Sequence, residues 1–298
     1  MKPFILTVKS INFFVCLTLL CCLTLGSIVK VSPVRAQEPL LFGVHPFLPF
    51  KSIEKKFTPL VDYLSRKLGR PVVLRVGSSY QEHIDAIGRD QLDIAYIGPA
   101  EYVAMVAKHG RKPLLACQET NGSPFFRGVI VARSELEAKT LAELPLGEFA
   151  FVVTNSTMGY LVPRIMLLQE NPKFITGYYY QFLKTHENVA LGVLSGDFIA
   201  GAVKEVVYQK FKERGLKALA LTPPIAEHVL VSRSTLDQKL ITALRADLLA
   251  LKGSPAGKAV LTSIKPSLTG FCPVKDEDYD SLRKLLAESE PEAGGGGR

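Results

Sequence analysis

The chain has 298 residues, 47% of them hydrophobic, with 36 lysines and arginines against 28 aspartates and glutamates. That is ample material for a buried core, in one large domain or two modest ones. The formal charge of +8 is not gathered into any Lys/Arg-rich run beyond the N-terminal segment, which excludes the usual signature of a nucleic-acid partner.

The charge is unevenly placed. Lys2, Lys9, Lys30 and Arg35 fall in the first 36 residues, which hold no acidic residue, so the remainder carries 32 basic against 28 acidic groups, a formal +4. Mild basicity of that size suits an anionic ligand. Lys2 and Lys9 precede an uncharged apolar run, Ile11 to Val29, and Val34-Arg35-Ala36 before Gln37 is a small-residue cleavage pattern. Residues 1–36 therefore read as a signal peptide for export. The run is also long enough for a retained membrane anchor. Cys21 and Cys22 inside it raise lipid anchoring as a third possibility, with Leu19-Leu20 a poor match to that signal.

Beyond the leader, short apolar runs alternate with amphipathic stretches. Leu40 to Val44 reads as a strand, and Phe57, Leu60, Val61, Leu64 and Leu68 recur at helical spacing until Gly69 closes the helix. Val72 to Val76 is a second strand, Ile84 and Ile87 mark a helix, and Asp93-Ile-Ala-Tyr-Ile97 is a buried strand stopped by Gly98-Pro99. Tyr102, Val103 and Val106 follow on another helix. This alternation predicts an α/β protein with a parallel or mixed sheet covered on both faces.

Two later segments echo each other: Gly128-Val-Ile-Val-Ala-Arg-Ser-Glu-Leu136 and His228-Val-Leu-Val-Ser-Arg-Ser-Thr-Leu236. About 90 residues separate them, with a strand from Phe149 to Val153, and Leu236, Leu240, Leu244 and Leu248 form a helical stripe after the second. The echo fits a chain that leaves one α/β lobe and returns to it through two crossover strands, leaving a ligand cleft between lobes. The expected division is 37–130 for the first part of lobe 1, 131–225 for lobe 2 and 226–290 for the return, with a flexible Gly-rich tail at 291–298. Cys117 and Cys272 are the cysteines outside the leader, and both a disulfide and two buried thiols are open to them. Neither has neighbours at metal-ligand spacing, so neither a metal nor a cofactor is expected.

The strongest local signal is Phe149-Ala-Phe-Val-Val-Thr-Asn-Ser-Thr-Met-Gly-Tyr160, where a strand gives way to Asn155, Ser156 and Thr157 at a helix start. Hydroxyls there cap the helix, and the same free amides bind tetrahedral oxyanions. Gly159 permits close approach to the backbone, and Pro163 either opens the regular helix or kinks it. His186 opens a helix whose apolar face is Val189, Ala190, Val193 and Leu194; the helix dipole favours its neutral form there, which still donates N–H. Tyr80 follows a strand in Gly77-Ser-Ser-Tyr80, and Tyr96 ends another, where ligand crevices form. The main enzyme signatures (Gly-x-x-x-x-Gly-Lys-Ser/Thr, Gly-x-Gly-x-x-Gly, His-Glu-x-x-His, Gly-x-Ser-x-Gly) are missing. Ser156, His186 and Glu205 are not spaced in a way that argues for a catalytic triad.

Asp93-Ile-Ala-Tyr-Ile-Gly-Pro-Ala-Glu-Tyr102, Asn155-Ser-Thr-Met-Gly-Tyr-Leu-Val-Pro163 and His186-Glu-Asn-Val-Ala-Leu-Gly-Val193, in that order, resemble the phosphonate- and phosphite-binding periplasmic proteins of ABC transporters. The resemblance runs from about Leu40 to Leu286, and the Asn155–Pro163 stretch is its most specific part. It implies a type II periplasmic binding protein, two α/β lobes closing by hinge bending over the ligand. It also implies that Ser156, Thr157 and the amides of Met158 and Gly159 cradle a phosphoryl group, with His186 and Tyr80 facing the ligand and Tyr96 in a weaker role. Two departures stand out. Met158 replaces the last hydroxyl of the usual Ser-Thr-Ser-Gly, and Ile199 stands where relatives place an aspartate. Glu205 and Glu227 lie near the positions where relatives that bind aminoalkyl ligands use carboxylates. The chain is thus expected to be a monomeric, non-enzymatic periplasmic protein. It would present a small phosphorus oxyanion to a membrane permease, or alternatively to a sensory receptor, with sulfonate or nitrate as the other candidate anions.

Overall fold

A computed structural model describes residues 38–170 and 179–288. The expected leader and the Gly-rich tail lie outside the described residues. The chain begins with β1 (Leu40–Val44), α1 (Phe50–Leu68), β2 (Val72–Val76), α2 (Tyr80–Gly88), β3 (Ile94–Ile97), α3 (Pro99–His109) and β4 (Leu114–Thr120). The two-residue strand β5 (Phe125–Phe126) leads to β6 (Gly128–Arg133), β7 (Glu148–Phe151), a π-helical turn (Thr157–Leu161) running into α4 (Val162–Glu170), and β8 (Tyr179–Phe182). Then come α5 (His186–Ser195), β9 (Ala200–Lys204), α6 (Glu205–Phe211) and β10 (Leu216–Leu221). A second two-residue strand, β11 (Ile225–Ala226), precedes β12 (Val229–Ser232), α7 (Gln238–Ala250), α8 (Pro255–Ile264), β13 (Leu268–Cys272) and α9 (Asp280–Ala287).

Two large sheets result, ordered β13-β4-β12-β3-β1-β2 and β10-β6-β9-β7-β8, with a two-stranded β11-β5 sheet beside them. In the first, β1 runs parallel to β2 and β3, whereas β12 is antiparallel to β3 and β4, so the sheet is mixed. The stripe Ile53, Phe57, Leu60, Val61 and Leu64 of α1 is buried, and Gly69 ends the helix at φ +59°, a conformation that favours glycine. That stripe packs with Leu40, Phe42 and Val44 of β1 and with Ile241, Leu244 and Leu248 of α7 on one sheet face. Ile84, Ile87, Tyr102 and Met105 cover the other. Of the predicted leucine stripe, Leu236 precedes α7 and Leu240 is only half-buried; Ile241 takes the inward position.

The crossings between the sheets differ from the sequence expectation. The chain crosses on β5 and β11, which pair antiparallel (Phe126 with Ile225, Phe125 with Ala226). The echoing apolar segments are the first full strand after each crossing, β6 in the second sheet and β12 in the first. Two residues are too few to show a periodicity, so only the longer strands were visible in the sequence. Cys117 and Cys272 sit directly opposite each other in the β4–β13 ladder as free thiols, the Cys272 S–H reaching the Cys117 carbonyl at 3.6 Å. Among the described residues no helix is long and apolar enough to cross a membrane, and no group of His, Cys, Asp or Glu could hold a metal ion.

Phe57 is fully buried, its ring 6.2 Å from Phe42 and 5.1 Å from Tyr96. Phe57→Ala is expected to lower unfolding free energy by about 3–5 kcal/mol, read by urea denaturation. A loss below about 1 kcal/mol would show that this core collapses around the gap.

Candidate functional site

The carboxyl ends of β1 and β3 lie side by side, Val44 paired with Tyr96, so His45 just past β1 emerges next to Tyr96. Since β12 runs antiparallel to β3, its preceding residue His228 reaches the same edge. The outcome is an aromatic stack centred on His45. Its ring lies 5.4 Å from Tyr80, 5.5 Å from Tyr96 and 5.9 Å from His228, all near parallel, and Tyr96 stacks on His228 at 5.2 Å and 12°. Tyr80 is the first residue of α2, whose cap is Ser79 accepting the Glu82 amide at 3.0 Å. One turn on, His83 pairs through Nε2 with the Tyr96 carbonyl at 3.0 Å. Glu101 accepts the Gly98 amide at 3.1 Å and stands 3.2 Å from His45 Nδ1 without hydrogen-bonding geometry, so His45 Nδ1 and Glu101 Oε1 are buried without partners. Burial pushes the Glu101 carboxyl up to about 8, and the group is mostly protonated at neutral pH.

The second lobe supplies the facing wall. Ser156 caps the π-helical turn, its Oγ accepting the Gly159 amide at 3.0 Å. A side chain at position 159 would meet Val152 Cγ2 at 2.5 Å and Ser156 Oγ at 2.7 Å, which is why glycine stands there. Thr157 opens the turn, and its Oγ1 accepts the Ala100 amide at 3.2 Å across the cleft, leaving its own proton to donate. The Met158 side chain is turned away, fully buried with Ala100, Val162, Ile225 and Leu282. One expectation therefore changes: the Gly159 amide is engaged by Ser156, whereas the first-turn amides of Thr157 and Met158 are those the helix leaves without an acceptor.

His186 is the first residue of α5, behind a Thr185 cap. Its Nδ1 accepts the Lys204 amide at 3.1 Å, which leaves the ring proton on Nε2. Burial above all, then the charge of Lys204, holds its pKa well below the ordinary value. The imidazole is thus neutral as expected, but chiefly because it is buried. With Nδ1 engaged by an amide, no carboxylate can orient the ring as in a triad. Glu205 opens α6, its amide on the Arg127 carbonyl at 3.0 Å, and lines a recess beside the crossings instead of joining the stack.

Beneath both walls is Glu227, which is completely buried. Its Oε1 accepts from Thr120 Oγ1 (2.6 Å) and Lys265 Nζ (3.0 Å), and its Oε2 from the His228 amide (3.2 Å) and His228 Nδ1 (2.9 Å). Burial works to raise its pKa, yet the His228 hydrogen bond and the charges of Lys265 and Lys204 hold it well below the usual carboxylate range. His228 is pushed down to about 4, by burial first and Lys204 second, and so acts as a neutral donor. Burial also pushes the Lys204 ammonium down to about 8, with Lys265 adding to the shift. This ammonium lies 5.4 Å from the Phe126 ring and, among the described residues, makes no ion pair or hydrogen bond.

The family model for the periplasmic phosphonate substrate-binding proteins of ABC transporters matches residues 42–279. The chain belongs to that family. It is 24% identical over 282 residues to the phosphate-import protein PhnD of Mycolicibacterium smegmatis, covering 83% of this chain and 85% of the relative. It is 23% identical over 246 residues to the phosphonates-binding periplasmic protein of Escherichia coli, covering 78% and 72%. The structure of PhnD1 from Prochlorococcus marinus in complex with methylphosphonate shares the fold, with a TM-score of 0.72 at 20% identity over 84% of this chain and 97% of that one. As a periplasmic substrate-binding component, the protein has a small ligand and a membrane permease as partners.

In this family member Tyr80 and Tyr96 join the aromatic stack, Ser156 and Thr157 form the turn that meets Ala100, and His186 sits on the Lys204 amide. Sequence reading missed His45, His83, His228, Glu101 and Lys204. Of these, His45 could have been found by the argument that located Tyr96, a polar ring at a strand's carboxyl end. Glu101 provides a test of the electrostatics. Its folded pKa exceeds the unfolded one, so the unfolded state binds fewer protons between the ordinary carboxylate range and pH 8, and stability falls as pH rises through that window. Glu101→Gln is expected to remove a slope of up to about 1.4 kcal/mol per pH unit, measured by denaturation at pH 5 to 8. An unchanged slope would mean that Glu101 is ionised in the folded protein.

Proposed function

We propose that the cleft captures a small phosphorus oxyanion (phosphonate, phosphite or phosphate) without turning it over, and that the protein, acting as an exported monomer, presents it to its permease. The observation that carries this is the meeting of the Ser156–Thr157 turn with the amino end of α3 through the Ala100–Thr157 bond, one residue from Glu101, which stands against His45 of the aromatic stack. First-turn amides and the helix dipole favour a tetrahedral anion at such a junction. On this reading the hydroxyls of Ser156 and Thr157, the amides of Thr157 and Met158, and His186 Nε2–H hold the phosphoryl oxygens. Tyr80 and His45 close the other side, and Tyr96 supports the stack. Names of relatives agree on the element, one being a phosphate-import protein and another a phosphonates-binding protein.

Thr157→Val is expected to weaken oxyanion binding by at least about 1 kcal/mol, and Thr157→Ser to retain it, both by calorimetry. Equal affinity in all three proteins would remove Thr157 from the site. A thermal-shift panel of phosphate, phosphite, methylphosphonate, sulfate and nitrate addresses the ligand class, since stabilisation scales with ligand concentration over Kd. A shift with sulfate or nitrate alone would overturn the phosphorus assignment.

A further inference from the structure

Next to the cleft floor, a recess of about 430 Å³ opens beside the two crossing strands, lined among others by Phe126, Arg127, Lys204, Glu205, Glu227 and Lys265. Its lining touches both the aromatic stack and the residue that holds His186. The Phe126 ring lies 5.9 Å from the His228 ring of the stack and 5.4 Å from Lys204 Nζ, while the Lys204 backbone amide holds His186.

Its charges are unequal in kind. Glu227 and Lys265 neutralise each other, and both oxygens of Glu227 are already engaged. That leaves Lys204 and Arg127 against Glu205, a net of one positive charge, and among the described residues neither cation has an anionic partner. An ammonium held away from water with nothing to pair with is costly, and an incoming anion relieves that cost. An incoming ammonium meets the opposite: it must be desolvated beside Lys204, with Glu205 as the one free carboxylate lining the recess and Glu187 acting on Lys204 from outside that lining.

We propose that this recess is a second anion subsite and that the preferred ligand is a phosphonate whose organic tail ends in a carboxylate seated between Lys204 and Arg127. The inference rests on the phosphoryl group lying at Ser156–Thr157. It makes Lys204 the residue that sets specificity for the tail. The low ammonium pKa agrees with this placement, since Lys204 remains charged at neutral pH while being poorly solvated. Carboxylated phosphonates should be preferred over amine-bearing ones of the same length, whose ammonium would face two cations.

The test is calorimetry on the leaderless protein with methylphosphonate, 3-phosphonopropionate and 3-aminopropylphosphonate. The carboxylated ligand is expected to bind at least about tenfold more tightly than the aminated one, the equivalent of a charge-assisted hydrogen bond. Lys204→Met should collapse the ratio of carboxylated to aminated affinity, Lys204→Arg should keep it, and Arg127→Gln, at an exposed position, should reduce it. Methylphosphonate binding with no gain from the carboxylate, or a ratio that survives both Lys204→Met and Arg127→Gln, overturns the subsite alone. Tightest binding of the aminated ligand overturns it too and assigns the recess to Glu205. If no phosphorus oxyanion binds at all, the proposed function fails and the subsite with it.

Discussion

Glu227 is the constraint on which the arrangement of the cleft depends. It directly follows the returning crossing strand, and its carboxylate gathers Thr120 from β4, His228 at the head of β12 and Lys265 from the connection between α8 and β13. Its backbone is held as well: the amide donates to the Pro124 carbonyl at 2.8 Å, and the carbonyl accepts from the Tyr279 hydroxyl at 2.8 Å. One residue thus ties both crossings to the first lobe. A buried charge with every oxygen satisfied is tolerable, whereas removing one partner from such a pair typically costs about 3–5 kcal/mol. The position of the His228 ring, and through it of Tyr96 and His45, follows from that bond.

The cleft is rich in histidine without being rich in charge, although the Glu227 carboxylate itself works to raise the His228 pKa. Four of the chain's five histidines (His45, His83, His186 and His228) stand around it. Burial disfavours their protonation, and Lys204 disfavours it further for three of them. The rings therefore act as neutral N–H donors, compatible with one another at close range. Positive potential comes instead from a few fixed sources: Lys204, Lys265 and the amino ends of α3 and the π-helical turn. Such preorganised dipoles are effective in a region from which water is excluded.

Much of the fold was legible because its elements are long enough to show a period. β1 and β2 begin and end where the apolar runs do, and α1 is written in its stripe of Phe57, Leu60, Val61 and Leu64. The crossings were not, since Phe125–Phe126 and Ile225–Ala226 are defined by pairing with each other across about 100 residues. The site divides in the same way. Thr157, His186 and Tyr80 each open a helix, a place that sequence marks with caps and turn residues. His45, His228 and Lys204 meet through sheet order and interlobe contact, and no local spacing encodes that meeting. The direction of the Met158 side chain was equally hidden, because what it packs against, Ala100 and Leu282, belongs to the other lobe.

The bond from the Ala100 amide to Thr157 Oγ1 spans the two lobes. A hydroxyl that accepts from one lobe while donating to an anion is oriented by the first interaction for the second, and the two hydrogen bonds polarise each other in the same sense. An open protein would lose the Ala100 contact and with it the orientation of the hydroxyl. On the proposed reading, affinity for the anion is therefore greater in the closed form, which is the differential a ligand needs to shift an open–closed population. The side chain that recognises the cargo would also report, through its second lone pair, whether the carrier has shut.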